Sequence, residues 1–309
     1  FSFADSFLVY SGQINDHMLR ILTGLGLLLF VVGCHSVDTV KDEEAWIDLF
    51  NGVNLDGWDI KICGYPVNEN YKNTFVLEDS MIRVNYTEYD SFRNEFGHLY
   101  YHQPYSYYKL RWEYRFTGDQ LPGGATWNVR NSGVMLHSQS AQSNELTQTF
   151  PVSIERQMLG GLSDGKSRPT GNVCTPGTAV EMHGEVTYDH CINSNSKTYD
   201  GDQWVQAEAI VHGDEFMTFI VDGDTVLQFE KPQVGGGFTN VNAAGEDWKT
   251  VGGMDHPEDW IKKNGLLLKE GYIALQAESH PVDFRNIQLL DLCGCGDPKA
   301  TNYKSYVAH

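Results

Sequence analysis

From Trp46 onward the chain runs in short stretches of alternating apolar and polar residues, each closed by Gly, Asn or Asp. This period-2 pattern commits it to strands, since few stretches are long enough for an amphipathic helix. It predicts strands over Thr74–Val84, Tyr108–Phe116, Gly133–His137, Val152–Leu159, Trp204–Val211, Phe216–Val221, Thr225–Phe229, Gly271–Ala277 and Val282–Leu290. His212-Gly213-Asp214 and Asp222-Gly223-Asp224 predict tight hairpins, because glycine takes the positive φ such turns need, and a three-stranded meander follows. Gly235 to Asn264 reads as a long surface loop or partial helix. No short repeat or Pro/Ser linker interrupts residues 46–292, so one all-β sandwich domain is expected there, followed by a Cys-containing polar tail over 293–309.

Charge narrows the function. The 22 Lys and Arg stand against 41 Asp and Glu, and a net charge of −19 repels polyphosphates, which argues against nucleic-acid binding. Aromatic residues make up 12% of the chain, with 16 Tyr and 7 Trp, a usage that suits a β-rich domain presenting ring faces to carbohydrate.

Ahead of the domain, Met18-Leu19-Arg20 places a positive charge before an apolar run from Ile21 to Val32, which is too short for a comfortable membrane span. The run ends in Val31-Val32-Gly33-Cys34, which resembles the lipobox of a bacterial lipoprotein signal. That resemblance implies a signal over 18–33, a lipid-bearing N-terminus at Cys34, a tether over 34–45, and residues 1–17 as spurious upstream sequence. It places the protein at the cell envelope, facing the periplasm or exterior. A plain cleaved signal or a short buried helix is the alternative. An exported chain can oxidise its remaining cysteines, Cys63, Cys174, Cys191, Cys293 and Cys295. Cys174 and Cys191 bracket a segment with Pro176-Gly177 and His183-Gly184 turn signals, which favours a disulfide over metal ligation with His183 and His190. One cysteine of the five is left over, and the partner of Cys293-Gly294-Cys295 is open between Cys63 and sequence beyond the tail.

Several segments resemble one family. Leu49-Phe50-Asn51-Gly52 with Leu55-Asp56-Gly57-Trp58 is similar to the opening of the 3-keto-disaccharide hydrolase family. Arg130-Asn131-Ser132-Gly133-Val134, Ser153-Ile154-Glu155-Arg156-Gln157, Gly271-Tyr272-Ile273-Ala274-Leu275-Gln276 and Phe284-Arg285-Asn286-Ile287 follow in the family's order. The resemblance implies a concanavalin-like, laminin-G-type β-jelly roll with a carbohydrate site on its concave sheet. It also implies action on glycosides oxidised at C3.

Side-chain alternation then sorts candidates by face. Ser153, Glu155 and Gln157 share a face opposite Val152, Ile154 and Met158; Gly133, Met135 and His137 share one; Tyr272, Ala274, Gln276 and Glu278 share another. Should these faces line one groove, His137, Glu155, Gln157, Gln276 and Glu278 converge, with His280 at the rim. Arg130, Asn131, Arg285 and Trp127 are further candidates for sugar contact. Their structural alternatives are a strand cap for Arg130 and Asn131, a structural carboxylate for Arg285, and the core edge for Trp127, as for Tyr100 and Tyr101. Asp255, His256 and Glu258 read as a solvated loop.

Two carboxylates on one strand face, the usual equipment of a retaining glycosidase, are missing, since Gln157 and Leu159 follow Glu155. A 3-keto sugar relaxes that need: the C3 carbonyl acidifies the C2 hydrogen, so one base can expel the C1 substituent by elimination and water adds afterwards. Glu155 is the expected base, His137 or His280 assists the leaving oxygen, and Gln157, Gln276 and Arg285 stabilise negative charge. A divalent metal on His137, Glu155 or Glu278 is another source of polarisation. The expected function is a lipid-anchored glycoside hydrolase or lyase supplied by a partner sugar oxidoreductase. A non-catalytic lectin-like module and a conventional glycosidase are the alternatives.

Overall fold

The computed structural model describes residues 44–238 and 252–308. The signal over 18–33, Cys34 and most of the 34–45 tether therefore lie outside the described residues, as does the middle of the expected 235–264 loop.

In chain order the strands are β1 (Ile47–Asp48), β2 (Trp58–Ile62), β3 (Phe75–Glu78), β4 (Met81–Val84), β5 (Gly97–Tyr101), β6 (Tyr107–Phe116), β7 (Asn131–Ser138), β8 (Ile154–Leu159), β9 (Asn172–Cys174), β10 (Thr178–Met182), β11 (Glu185–Thr187), β12 (Cys191–Ile192), β13 (Val205–His212), β14 (Phe216–Val221), β15 (Asp224–Val234), β16 (Tyr272–Ala277) and β17 (Val282–Asp291). They form two antiparallel sheets. One runs β11-β10-β15-β14-β13-β6-β17-β4-β3, with β1 added to β17; the other runs β12-β9-β8-β7-β16-β5-β2. Chain neighbours are often not sheet neighbours, and strands cross from one sheet to the other, which makes the fold a jelly-roll sandwich.

Alternation puts the core between the sheets. On β6, Tyr108, Leu110, Trp112, Tyr114 and Phe116 are buried, while Arg111 between them is exposed. From the opposite sheet Val134, Leu136, Ile154, Met158, Ile273 and Leu275 meet them, and the indole nitrogen of Trp112 reaches the Met158 sulfur at 3.3 Å. Arg156, on the inward face of β8, is fully buried. Its guanidinium lies 4.9 Å from the Trp112 ring centre and donates to the Ile220 carbonyl at 3.0 Å. A planar, weakly hydrated cation suits such a position against aromatic faces.

The two predicted hairpins join β13 to β14 and β14 to β15, with Gly213 at φ +50° and Gly223 at φ +87°. The expected strand over Thr74–Val84 is two strands. Asp79 and Ser80 both adopt positive φ and turn the chain back, so β3 and β4 pair with one another. The short strands β2, β5 and β9 to β12 carry no clean alternation and were not legible from pattern. Gly236–Phe238 is a single 3-10 turn and Glu258–Ile261 a single helical turn. Beyond β17, the chain folds back so that the Ala308 amide donates to the Leu292 carbonyl and Tyr306 packs near Tyr107 and Leu292.

Candidate active site

The sheet containing β8, β7 and β16 carries a cavity of about 720 Å³ on its outer face. That is the size of an ordinary small-ligand pocket, roughly 300–1,000 Å³. Cross-strand register shows how the floor is built. Leu159 on β8 faces Asn131 on β7; Gln157 faces Gly133 and, on β9, Asn172; Glu155 faces Met135 and Cys174. On the other side of β7, Ala274 of β16 faces Met135. Two-residue alternation then places Gln276 and Glu278 on the same face. Glu155, Gln157, Asn131 and Glu278 line the cavity, so these four expected residues do converge.

Gly133 makes room for the central group. A methyl group built there would stand 2.4 Å from Glu155 Oε1 and 2.7 Å from its Cγ. The Glu155 side chain therefore leans across Gly133, from β8 toward β16. This brings it close to Glu278, one residue past the end of β16, although β7 lies between β8 and β16. Burial pushes the Glu155 carboxyl up to about 8. Burial, and then the charge of Glu155, holds Glu278 well above the ordinary carboxylate range. Two carboxyls in one dry site cannot both ionise cheaply, so they lose protons in sequence. The paired carboxylates missing from β8 alone are supplied by β8 and by the segment just past β16.

The remaining walls combine aromatic and polar groups. Trp127, on the 3-10 turn Thr126–Asn128, keeps 55% of its surface exposed at the cavity and lies nearly parallel to Phe96, 9° off with ring centres 6.4 Å apart. Its backbone carbonyl accepts from Asn131 Nδ2 at 3.2 Å. Gln157 Oε1 accepts from Asn172 Nδ2 at 2.9 Å, which fixes the amide's orientation. The Cys174–Cys191 disulfide forms between directly paired residues of β9 and β12 and lines the cavity, in agreement with the expected pairing. Cys63, Cys293 and Cys295 are free thiols, so no bridge links Cys63 to the tail.

Other expected residues lie elsewhere, each for a stated reason. His137 is turned away by a bulge: between Tyr272↔Ser138 and Ala274↔Met135, β7 carries one residue more than β16, and His137 takes φ +47°. Alternation therefore fails at this residue. Its Nε2 donates to the Gly213 carbonyl at 2.9 Å, in a hairpin of the opposite sheet, and burial pushes its imidazole down to about 4. His280 packs its ring against Phe116, with centres 5.7 Å apart, and does not line the cavity; burial lowers it to about 4. Arg130 is held by Asp202 at 2.7 Å and by the Gly201 carbonyl. Arg285 belongs to the other sheet, where Nε bonds Glu113 at 2.7 Å and the guanidinium stacks on Trp204 at 3.8 Å. Arg285 thus takes its structural alternative, and Arg130 is tied to Asp202 rather than capping a strand. Gln276 is on the expected face but fully buried behind the cavity lining. Tyr100 is buried, its hydroxyl accepting from Asn144 Nδ2, and Tyr101 packs edge-on to Trp58.

Phe96, Phe150, Leu162 and Arg168, which no sequence pattern singles out, also line the cavity. Arg168 sits in a loop with no periodicity, and its guanidinium donates to the carbonyls of Val129 and Gly160. The loop pair His256 and Glu258 remains exposed, 3.4 Å apart, as expected of a solvated segment. Among the described residues no three His, Cys, Asp or Glu side chains stand together as a metal site. The set His137, Glu155 and Glu278 does not fit a metal, because His137 points to Gly213.

The profile of the 3-keto-alpha-glucoside-1,2-lyase-like domain matches residues 45–290. Among solved structures, the chain is similar to a candidate glycosyl hydrolase from Parabacteroides distasonis, at 17% identity over 81% of this chain and 95% of that one, TM-score 0.46. It is also similar to the VIP36 exoplasmic/lumenal domain in its Ca2+/Man3GlcNAc-bound form, at 11% identity over 87% and 96%, TM-score 0.41. A third similar structure is the carbohydrate-binding module CBM66 from Bacillus subtilis, at 10% identity over 63% and 81%, TM-score 0.33. No curated protein matches the chain in sequence.

Proposed function

Since the chain belongs to the 3-keto-alpha-glucoside-1,2-lyase-like domain family, we propose that this carbohydrate-active domain cleaves glycosides oxidised at C3, with Glu155 as base and Glu278 as acid. The observation that carries the reading is the buried Glu155–Glu278 pair beside an exposed tryptophan in one cavity.

The geometry assigns the roles. Glu155 leans across Gly133 into the cavity and is the base; burial raises both carboxyls, and the charge of ionised Glu155 keeps the proton on Glu278. Ionised Glu155 removes the C2 proton, and the C–H electron pair forms an enolate with its charge on the C3 oxygen. Collapse of the enolate restores the carbonyl, forms the C1=C2 bond and breaks C1–O. Neutral Glu278 gives its proton to the departing oxygen. Water then adds across C1=C2, hydroxyl to C1 and proton to C2, which completes a net hydrolysis. Glu278 takes the part expected of His137 or His280. Trp127 offers its exposed face to a sugar ring or leaving group, and Gln157 and Asn131 offer amides to hydroxyls.

The substrate class requires an oxidoreductase that converts the C3 hydroxyl to a ketone, and such an enzyme is the proposed partner. Lipid attachment at Cys34 and a place at the cell envelope complete the reading, supported by the Val31-Val32-Gly33-Cys34 pattern. A lectin-like module is the second reading, favoured by the open face of Trp127. The test is to incubate the domain from about residue 36 with 3-keto and unoxidised glucosides. Release from the keto substrate alone is expected, with Glu155→Gln slower by roughly 10²-fold, the scale of a lost general base. Binding without turnover supports the lectin, and cleavage of the unoxidised glucoside supports a conventional glycosidase.

A further inference from the structure

The two carboxyls of the cavity stand at different places along the sheet, and the apolar part of the lining gathers at one of them. β7 runs antiparallel to both β8 and β16, so its start lies beside the ends of those two strands. At this end Asn131 faces Leu159, and Glu278 follows Ala277, the last residue of β16. Ala277 in turn pairs with Gly97, the first residue of β5, which brings the preceding Phe96 to the same end. The turn bearing Trp127 is fastened there as well. Gln120 Nε2 donates to the Ala125 carbonyl at 2.8 Å and to Ser279 Oγ at 3.0 Å, and Ser279 is the chain neighbour of Glu278. Glu155 stands further back on β8, where it faces Cys174 and the disulfide.

Two of the large apolar side chains that stay exposed among the described residues line this cavity, Trp127 at 55% and Leu162 at 45%. Leu162 follows the end of β8 and so shares this end with Trp127, Phe96 and Leu159. Polar capacity here is small. Arg168 donates to the carbonyls of Val129, Gly160 and Arg130, and Asn131 Nδ2 donates to that of Trp127. Asn131 Oδ1 and Glu278 Oε2, both in the lining residues, have no partner within the protein. They suit a glycosidic oxygen and one hydroxyl, whereas a second sugar brings several hydroxyls that each need a partner.

We propose that the Glu278 end of the cavity is a leaving-group subsite for an aryl group, stacked on the exposed face of Trp127 and bounded by Leu162. The inference rests on the proposed reaction in one respect, the role of Glu278 as acid, because the group whose oxygen takes that proton must lie at the Glu278 end. When C1–O breaks, its electron pair stays on the aryl oxygen, the Glu278 proton joins it, and the group departs as a phenol. The oxidised sugar then lies toward Glu155, the base. An aromatic ring covers the exposed indole and leucine, and stacked aromatic pairs gain beyond the area they bury.

The test compares phenyl α-glucoside, methyl α-glucoside and maltose by calorimetry, in the Glu155→Gln protein where turnover is suppressed. The phenyl glucoside is expected to bind at least roughly tenfold more tightly than the other two, the scale of one buried and stacked ring. Adding Leu162→Ser or Trp127→Ala is expected to remove most of that advantage while leaving methyl glucoside unchanged. Leu162 is exposed, so its variant carries the test if the Trp127 variant does not fold. With the 3-keto forms and Glu155 intact, the ratio of kcat/KM for phenyl over methyl should fall in both variants by a similar factor, since the intrinsic leaving ability of phenol is common to all three proteins. Equal binding of phenyl and methyl glucosides overturns the subsite, as does tighter binding of maltose, which marks a place for a second sugar. A phenyl preference that survives both substitutions, or no binding of any of the three, overturns it too. Phenyl preference without turnover of either keto substrate upholds the aryl site and overturns the 3-keto reading, whereas keto turnover without phenyl preference does the reverse.

Discussion

Replacing Gly133 by alanine perturbs the site through a single contact. The backbone of Gly133 lies outside the positive-φ region, so alanine is conformationally acceptable there. The added carbon, however, falls 2.4 Å from Glu155 Oε1, 2.7 Å from Cγ and 2.9 Å from Cδ. Ordinary contact begins near 3.4 Å, so the carboxylate must retreat by about 1 Å. The three nearest atoms all belong to Glu155, whose far end can swing into the cavity. The stability cost should therefore sit at the low end of the roughly 1–3 kcal/mol typical of overpacking, a few degrees in Tm for a domain of this size. Catalysis should suffer far more, because a displacement of about 1 Å in a reacting group can cost on the order of 10²-fold. The assay is kcat/KM on a 3-keto glucoside alongside thermal denaturation. Glu155→Asp, which shortens the side chain, should cost less in the Gly133→Ala background than in the native chain, a non-additivity expected of touching residues. Near-native turnover by folded Gly133→Ala would falsify the claim that Gly133 sets the position of the reactive carboxylate.

Four further outcomes are expected, three from the same geometry and one from the Val31-Val32-Gly33-Cys34 pattern. Turnover should rise with pH up to about 8 as Glu155 ionises, and Glu155→Gln should abolish that limb; a profile already flat at acidic pH would remove Glu155 as the base. The folded chain holds the Glu155 proton to about pH 8, while the unfolded chain releases it near the ordinary 4.5. Stability from this group is thus intact below about pH 4.5 and lost as pH rises toward about 8, so Glu155→Gln should melt with a flatter pH dependence. Reducing the Cys174–Cys191 bridge should cost about 2–4 kcal/mol and also weaken turnover, because the bridge lines the cavity; unchanged activity in the reduced, folded protein would detach the bridge from the site. Cys34→Ser should release the chain from membranes, and continued membrane partitioning would argue against the lipid anchor.

What the sequence determined by itself is what depends on residues close together in the chain. Alternation on β8 set Glu155 and Gln157 on one face and Ile154 and Met158 on the other, because the pleat has a strict period of two. Glycine at positions 213 and 223 set two hairpins, since it alone takes positive φ without penalty. The spacing of Cys174 and Cys191 around turn residues foreshadowed their pairing. The tertiary structure decided everything that depends on which strands are neighbours. Placing β7 between β8 and β16 is a long-range pairing that brings Glu155 to Glu278, and nothing near either residue encodes it. The bulge at His137 arises where β7 and β16 fall out of register, so a face assigned by counting was wrong at that one residue. Arg130 and Arg285 look like ligand-binding residues in isolation, but Asp202 and Glu113 claim them once the chain is folded. Phe150 and Arg168 come from aperiodic loops, where side-chain direction has no local rule. Local stereochemistry fixes faces and turns, whereas a catalytic site is assembled from side chains distant in sequence, and their meeting is fixed only by the packing of the two sheets.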